Sequence, residues 1–497
     1  MTAPTLLHEL LDRAVHTFPD AEAAGDGADT VTYRWVWERS LRLAAALRAA
    51  GVRRGDRVVV ALPTSVLVPA LLYGCSRAGA VFVLLRDQAP EAMTAHVLDD
   101  AEPALVLTES PAIRRQAAQR DIPHRDVAEL IEAAVETRHG PSDSPLRTDP
   151  VCFIYTSGSS GMPKAVVSTH AQVVFAATAI QAELSYRPDD VVHSPLPLSF
   201  DYGLYQIFLC TLAGARLELA SAEQAGGQLL GELHRTRATV LPAVPALAVN
   251  LVRLLSRPGA RPPSLRLLTN TGAAMPPRVL AELRARIPDL AVQLMFGLTE
   301  CKRAAIMPKD EDLVRPGACG RALPGTEIIV VDDGGFPVPA GQVGELVVRG
   351  PHVMAGYWRR PELTAQRFHR VAGLFPQLHT GDYGWLDEDG FVHYAGRRDD
   401  QYKERGFRVS TVEVEAASHR VAGVRDAAVV PPVGALDGAT LFVVTSLAPH
   451  QVLSGLREQL EDVKIPQRCV VVPRLPRNDN GKVDRDRLVT LSGGRDD

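Results

Sequence analysis

The chain has 497 residues, 46% of them hydrophobic, which is enough apolar material for more than one core. Its 54 basic and 58 acidic side chains give a net charge of −4, which excludes the basic excess of a nucleic-acid binder. The six cysteines are far apart and form no CxxC pair, so a zinc knuckle or a disulfide framework is not indicated. No signal peptide and no apolar run of about 20 residues is visible, so we expect a cytoplasmic protein without a membrane or nucleic-acid partner.

The first three hundred residues alternate valine-rich apolar runs with helical patterns. Continuous apolar strands with helices between them are typical of parallel sheets that are covered on both faces. The sequence therefore predicts an α/β region. The predicted strands are residues 57–61, 80–84, 105–107, 151–155, 216–219, 240–241 and 265–269, and helical spacing is clear at 40–50 and 277–286.

The pattern changes near Glu327. Short apolar runs at 328–331, 343–349, 383–386 and 391–394 are separated by Asp- and Gly-rich turns, which predicts a small antiparallel β unit. A charged stretch at 396–406 then precedes another α+β pattern. We place a domain boundary near residue 396.

A Gly- and Ser-rich segment follows the strand predicted at 151–155. It reads YTSGSSGMPK over residues 155–164, with Gly158, Gly161 and Lys164 at three-residue spacing. Small residues let backbone N–H groups wrap a polyphosphate, and the lysine adds a positive charge. The spacing is not that of a Walker loop. Taken alone, the segment is either a phosphate loop or a flexible Ser/Gly connection.

Six spaced motifs follow one another along the chain: residues 155–164, 296–300 (FGLTE), 380–382 (TGD), 396–400 (GRRDD), 403–408 (KERGFR) and 476–482 (PRNDNGK). Together they closely resemble the adenylate-forming enzyme superfamily, which comprises acyl-CoA synthetases, peptide-synthetase adenylation domains and luciferases. The likeness is strongest to a free-standing amino-acid adenylation enzyme. It implies a large N-terminal domain, residues 1–396, built from two doubly wound α/β subdomains and a small β-barrel. A small mobile α+β lid, residues 397–497, would follow.

The resemblance implies two steps: a carboxylate attacks the α-phosphate of ATP with loss of pyrophosphate, and a thiol then takes the acyl group. Thr299 would contact the α-phosphate, and Glu300 would hold Mg²⁺. Asp382 would accept both ribose hydroxyls. The implied ATP-binding residues are Thr156, Ser157, Gly158, Ser159, Ser160, Gly161, Lys164, Gly272, Ala273, Ala274, Phe296, Gly297, Asp382 and Arg397.

The C-terminal motifs carry the implied domain alternation. Lys482 matches the lysine that bridges the carboxylate and the α-phosphate during adenylation, and Asp399 matches the hinge. The segment with Lys403, Gly406 and Arg408 would replace Lys482 for the thiol step. Without the resemblance, Lys482 would be a solvated tail residue and Asp399 an ordinary surface acid.

The acid pocket is less specific. Asp201 matches the aspartate that pairs with the substrate ammonium in amino-acid-activating members, although some acyl-CoA ligases have a similar Ser-Phe-Asp-Tyr-Gly stretch. Arg303 either reads a second substrate carboxylate, pairs with a nearby acid or reaches the surface. A compact pocket suggests a small acid, with proline as a first guess. The residues expected to line the pocket are Asp201, Tyr202, Tyr205, Pro242, Thr269, Thr271, Met295, Arg303 and Ala304.

The thiol acceptor stays open, since phosphopantetheine on a carrier protein and coenzyme A end in the same group. The ending of the last motif favours a peptide-synthetase-like enzyme whose carrier is a separate protein. An acyl-CoA synthetase for a small acid is the alternative. A catalytically idle nucleotide-binding member is a third reading, which the set of Lys164, Glu300, Asp382 and Lys482 argues against.

Overall fold

The fold is taken from a computed structural model of the chain. It describes residues 3–132, 144–156, 163–221, 223–371, 376–397, 401–404, 407–432, 438–460, 464–478 and 482–493. The helices are α1 (Leu7–Thr17), α2 (Tyr33–Ala49), α3 (Leu67–Ala78), α4 (Glu91–Ala101), α5 (Pro111–Ala118), α6 (Val127–Glu132), α7 (His170–Leu184), α8 (Asp201–Ala213), α9 (Leu229–Thr236), α10 (Pro245–Leu255), α11 (Pro277–Arg286), α12 (Pro361–Arg367), α13 (Thr411–Arg420), α14 (Pro449–Arg457) and α15 (Arg485–Gly493).

The strands among the described residues belong to five sheets. In chain order they are β1 (Glu22–Gly25), β2 (Thr30–Thr32), β3 (Arg57–Ala61), β4 (Val81–Leu84), β5 (Leu105–Thr108), β6 (His124–Arg125), β7 (Pro150–Thr156), β8 (Lys164–Thr169), β9 (Val191–Ser194), β10 (Arg216–Leu219), β11 (Val240–Ala243), β12 (Leu267–Asn270), β13 (Ala291–Phe296), β14 (Ala305–Ile306), β15 (Arg321–Ala322), β16 (Glu327–Val331), β17 (Gly344–Arg349), β18 (Gly356–Tyr357), β19 (Phe368–Arg370), β20 (Pro376–Leu386), β21 (Val392–Arg397), β22 (Gln401–Glu404), β23 (Phe407–Ser410), β24 (Val424–Val430), β25 (Thr440–Thr445) and β26 (Arg468–Val471).

Two large sheets form the α/β region. One has nine strands in the order β15-β14-β13-β12-β11-β9-β10-β1-β2, and the other has seven in the order β18-β8-β7-β4-β3-β5-β6. Their central strands are parallel and buried on both faces, because their valine and leucine side chains meet helices on each side. The predicted α/β architecture is confirmed. The edges add antiparallel strands that the sequence analysis did not predict: β2, β14 and β15 in one sheet, β8 and β18 in the other.

The small β unit is a five-stranded antiparallel sheet. The long strand β20 pairs with β17 along one edge and with β19 and then β21 along the other. The pairings of the described residues leave this sheet open, where the resemblance led us to expect a barrel.

The C-terminal region contains two further sheets. The β22–β23 hairpin precedes α13, and β24, β25 and β26 form a three-stranded sheet beside α13, α14 and α15. Its core includes Val429, Leu441, Val443 and Leu456, all fully buried. The predicted α+β pattern is therefore present after residue 400.

The thiols fit the expectation of unpaired cysteines. All six are free, and four of them are buried. Burial raises the pKa of Cys75 to about 12 and that of Cys319 to about 11, so these thiols stay protonated near neutral pH. Across the described part of the chain, no helix is both long and apolar enough to span a membrane.

Three buried histidines make the stability of the fold sensitive to acid. Burial lowers the pKa values of His170, His193 and His352 to about 4, against about 6.5 for a free imidazole. Protons therefore bind the unfolded chain more readily between these two values, and stability must fall as pH is lowered through that window. We expect each histidine to lower the free energy of unfolding by about 2 kcal/mol at pH 5 relative to pH 7.5. Urea unfolding at the two pH values measures this change. His352→Met should lose less of its free energy of unfolding at pH 5 than the parent protein does. A pH-independent free energy of unfolding would contradict the prediction.

Candidate active site

The predicted phosphate loop lies between two paired strands. Strand β7 ends at Thr156 and β8 begins at Lys164, and these two residues are register partners in the antiparallel pair. The loop residues Ser157, Gly158, Ser159, Ser160 and Gly161 lie outside the described residues. The hairpin therefore fixes both ends of the loop, with Lys164 on a strand where the sequence analysis placed it in the loop.

Glu300 lies next to this hairpin, on the turn after β13. Its side chain is buried, and the Tyr357 hydroxyl donates to Glu300 Oε1 at 2.6 Å. The face of the Tyr357 ring contacts Lys164, whose Nζ is 4.1 Å from the ring centroid. Thus the predicted metal ligand and the predicted phosphate lysine contact one tyrosine, which the sequence analysis did not select.

The turn that carries Thr299 and Glu300 depends on a close backbone approach at Gly297. A β-carbon added there would lie 2.1 Å from the carbonyl oxygen of Lys302 and 2.8 Å from Cα of Arg303. Backbone atoms cannot move aside as a flexible side chain can. The glycine thus allows the chain to fold back so that Arg303 follows closely behind Glu300.

Because the backbone passes so close to Gly297, adding a single methyl group there should destabilise the protein. Gly297→Ala should destabilise the protein by about 1–3 kcal/mol through overpacking, and it should weaken ATP binding because the turn shifts. Gly231→Ala is a matched control, since a β-carbon at Gly231 meets no atom within 4 Å. Chemical denaturation of both variants tests the prediction, and equal stability of the two would contradict it.

Asp382, which is predicted to bind the ribose, lies on β20. Its carboxylate is buried and accepts a hydrogen bond from the Tyr394 hydroxyl at 3.3 Å. The Tyr394 ring packs on Phe296, with 5.8 Å between ring centroids. The backbone of Arg397 is the register partner of Asp382. These contacts join two predicted motifs, residues 296–300 and 380–382, at one place.

The residues predicted to lie on the adenine side follow strand β12. Gly272, Ala273 and Ala274 follow its carboxyl end after one residue, Thr271, and are exposed. Gly272 has a φ of 87°, and a β-carbon there would lie 3.6 Å from the ring of Phe200. Because β11, β12 and β13 are parallel, their carboxyl ends meet at one edge of the sheet, where open α/β sheets bind ligands.

The expected acid pocket contains a buried ion pair. Asp201 is the first residue of α8, and its Oδ2 lies 3.3 Å from Nη1 of Arg303, with both side chains about 5% exposed. The Arg303 guanidinium also stacks over the Tyr202 ring, 4.8 Å from the centroid. The nearby-acid alternative for Arg303 is therefore the one observed.

Lys302 adds a second buried cation that the sequence analysis missed. It is fully buried, and its Nζ has no hydrogen-bond partner among the described residues. It lies over the Tyr205 ring, 5.7 Å from the centroid. Burial lowers the pKa of Lys302, while the Asp201 charge opposes that shift. Two consecutive cations inside an otherwise apolar run, residues 301–307, were the available signal.

The other residues expected to line the acid pocket are also buried. The Tyr202 hydroxyl lies 2.7 Å from Thr269 Oγ1, and Thr269 is the register partner of Pro242. The remaining members of the set are likewise at most 7% exposed: Tyr205, Thr271, Met295 and Ala304.

The C-terminal motifs are described in part. Lys482 is exposed, and its turn is closed by hydrogen bonds from Lys482 N to Asn478 Oδ1 at 3.0 Å and from Asn478 N to Lys482 O at 2.8 Å. The backbones of Lys403 and Arg408 pair in the β22–β23 hairpin. Asp399 and Gly406 lie outside the described residues. The hinge and thiol-step roles therefore stay predictions.

Comparison with known proteins decides the family. Residues 11–358 match the family model described as "AMP-binding enzyme", and residues 413–482 match that of its C-terminal domain. The chain belongs to the AMP-binding enzyme family. The superfamily named from the motifs is confirmed, and this AMP-binding enzyme is an AMP-forming acid–thiol ligase.

The similar proteins include both a syringomycin synthase and an acyl-CoA-forming enzyme, feruloyl-CoA synthase. Syringomycin synthase SyrB1 from Pseudomonas syringae pv. syringae is 30% identical over 98% of this chain and 82% of its own. Feruloyl-CoA synthase from Amycolatopsis sp is 32% identical over 95% of this chain and 96% of its own.

Solved structures agree with the fold. VinN in complex with L-aspartate is 39% identical, covers 79% of this chain and 98% of its own, and has a TM-score of 0.70. ATP-bound MatB from Rhodopseudomonas palustris is 28% identical over 98% of this chain and 99% of its own, with a TM-score of 0.86. The large N-terminal and small C-terminal domains are thereby confirmed as the fold class.

Proposed function

We propose that this enzyme adenylates an amino acid that carries a second carboxylate, such as aspartate, and transfers it to the phosphopantetheine thiol of a carrier protein. The observation that carries the proposal is the buried charge set of Asp201, Lys302 and Arg303. In this set Arg303 pairs with Asp201, and the amine of Lys302 has no hydrogen-bond partner among the described residues, in the pocket expected to bind the acid.

Buried charges are stable only when they are paired. The ammonium group of an incoming substrate would pair with Asp201 in place of Arg303. A second carboxylate of the substrate would then pair with Arg303 and give Lys302 an anionic partner. Proline, our first guess from the sequence, has no second carboxylate for these cations. The similar protein VinN forms a complex with L-aspartate, which supports the same substrate class here.

In the first step, an oxygen of the reacting carboxylate attacks the α-phosphorus of ATP, and the bond to pyrophosphate breaks. Lys164 and the loop after Thr156 would hold the leaving phosphates. Asp382 would orient the ribose, Thr299 would contact the α-phosphate, and Lys482 would bridge the two reacting groups. In the second step, the thiol sulfur attacks the acyl carbon, the thiol proton is released, and AMP leaves with the attacking carboxylate oxygen.

Magnesium fits the residues present at Glu300. Proteins usually bind Mg²⁺ through one or two carboxylates together with substrate phosphates and water. Glu300 offers one buried carboxylate beside the phosphate hairpin, and no cluster of three ligating side chains exists within the described ranges. When bound there, the ion would offset the repulsion between the anionic acid and the triphosphate.

A panel of acids in ATP–pyrophosphate exchange tests the proposed substrate class. We expect L-aspartate to exceed succinate, which lacks the ammonium, and L-alanine, which lacks the second carboxylate, by about 30- to 1000-fold in kcat/KM, because each leaves one buried charge unpaired. L-Proline should behave like L-alanine. Preference for succinate or for an uncharged aryl acid would contradict the amino-acid assignment.

An acyl-CoA synthetase for a small acid is the second candidate. The observation that favours it is the Asp201–Arg303 pair itself, because two groups that neutralise each other need no charged ligand. The similarity to feruloyl-CoA synthase points the same way. Thioester formation with coenzyme A and with a phosphopantetheinylated carrier protein, compared at equal thiol concentration, separates the candidates. Faster transfer to the carrier supports the proposal, and faster transfer to coenzyme A supports the alternative.

A further inference from the structure

Tyr357 lies on a short edge strand that joins two parts of the candidate site. Strand β18 pairs with β8, and flanking bonds from Ala355 N to Val167 O at 3.0 Å and from Trp358 N to Ala165 O at 2.9 Å extend the pairing. Just before it, Met354 N donates to the carbonyl oxygen of Glu300 at 2.9 Å. The segment is thus bonded to both the phosphate hairpin and the Glu300 turn.

The residues after Tyr357 fix the segment on α4 and the turn that follows it. Trp358 Nε1 donates to the carbonyl oxygen of Asp100 at 3.0 Å, and Arg360 pairs with the Asp100 carboxylate at 2.7 Å. Arg359 forms a two-pronged pair with Glu102. The Tyr357 backbone is therefore held from both sides, which preorganises its side chain.

The Tyr357 side chain contacts Glu300 and Lys164 with different parts of its surface, and the Arg367 guanidinium also lies within hydrogen-bonding range of its hydroxyl. Its hydroxyl donates to Glu300 Oε1 at 2.6 Å, and its ring face lies 4.1 Å from Lys164 Nζ. The ring also packs edge-on against Phe368, with 5.4 Å between centroids. Burial, and then the Glu300 charge, raise the pKa of Tyr357, so the phenol stays protonated and donates near neutral pH.

We propose that Tyr357 is a positioning residue for magnesium-nucleotide binding. Its hydroxyl holds one oxygen of Glu300 and so presents the other oxygen to the cation, while its ring keeps Lys164 away from the carboxylate. This inference rests on the metal role proposed for Glu300. Without the hydroxyl, Glu300 Oε1 would be free to pair with a cation that now contacts Tyr357, either Lys164 or Arg367. Either pair would compete with Mg²⁺ for Glu300, and a pair with Lys164 would also compete with phosphate for that lysine.

Nucleotide binding without turnover tests the inference. ATP is titrated into the full chain by calorimetry at increasing Mg²⁺, with no acid present. Tyr357→Phe should raise the Mg²⁺ concentration for half-maximal ATP binding about tenfold, as expected for losing a hydrogen bond to a charged group. Tyr357→Leu, which also removes the ring from Lys164, should raise this Mg²⁺ concentration about two- to fivefold further. Tyr33→Phe is the matched control, since its buried hydroxyl donates only to the backbone carbonyls of Cys210 and Ala215.

Glu300→Gln separates this inference from the proposal on which it rests. If both substitutions act through Glu300, Glu300→Gln should raise the Mg²⁺ concentration needed for half-maximal ATP binding. The double variant should then need no more Mg²⁺ than Glu300→Gln alone. If Glu300→Gln shifts the requirement while Tyr357→Phe leaves it unchanged or lowers it, the positioning role is overturned alone. If Glu300→Gln has no effect on Mg²⁺ dependence, the metal role of Glu300 and the inference fall together. Thermal unfolding of Tyr357→Phe within the range of Tyr33→Phe shows that the shift is not a loss of fold.

Discussion

Replacing Lys482 with methionine is expected to slow ATP–pyrophosphate exchange by about 10²–10³-fold, while transfer from preformed acyl-adenylate to the thiol slows much less. The reason is that one positive charge would bridge two anions as they approach, and this contact would be strongest in the transition state of adenylation. Lys482 is suited to the task because its exposed side chain projects from a turn fixed by Asn478 and by the paired residues Arg477 and Val483.

The control for this variant is Lys464→Met, which removes a lysine of the same C-terminal region. Lys464 pairs with Glu413 at 2.8 Å on a partly exposed surface, so its loss should leave both half-reactions near their original rates. Equal slowing of the two half-reactions by Lys482→Met, or exchange that stays within twofold of the parent enzyme, would contradict the assigned role.

Asp201→Asn is expected to lower kcat/KM for the amino acid by about 10²–10³-fold, because it removes one partner of a buried charge-assisted contact. The substitution keeps the size of the side chain and removes the charge that would face the substrate ammonium. It also removes the carboxylate that pairs with Arg303 and acts on Lys302, so kcat/KM for a dicarboxylic acid without the ammonium, such as succinate, should fall far less or should rise.

The matched control is Asp190→Asn, because Asp190 is a buried partner of Arg266 at the start of β9. It should cost stability without changing the preference between aspartate and succinate. The ratio of the two kcat/KM values is therefore the decisive readout. A ratio that is the same in Asp201→Asn and in the parent enzyme would remove the ammonium-binding role.

The regular elements were predictable where local pattern and tertiary structure agree. Strand β10 and helix α11 have the bounds expected from the sequence, because the alternating Arg-Leu-Glu-Leu segment and an i, i+3, i+4 stripe each fit one element. Helix α2 begins seven residues earlier than expected, at Tyr33, because the Thr32 hydroxyl caps it by accepting from Trp35 N at 3.2 Å. The aromatic residues of its first turns hide the apolar stripe in the sequence.

The site was predictable as a set of motifs and not as a set of contacts. The motifs named Glu300, Asp201 and Arg303, but contact across a fold depends on topology that no local pattern carries. Asp201 and Arg303 are 102 residues apart and Glu300 and Tyr357 are 57 apart, and each pair meets only once the sheets assemble. Lys302 was missed for the same reason, since the ring that covers its amine, that of Tyr205, is distant in the sequence.

The fate of one oxygen atom shows whether the acid attacks the α-phosphorus of ATP. The enzyme is supplied with ATP, its thiol acceptor and an acid whose reacting carboxylate carries ¹⁸O, and the products are analysed by mass spectrometry. Attack of the carboxylate on the α-phosphorus predicts one ¹⁸O atom in AMP for each thioester formed. Label in inorganic phosphate, or thioester formed with unlabelled AMP, would contradict it.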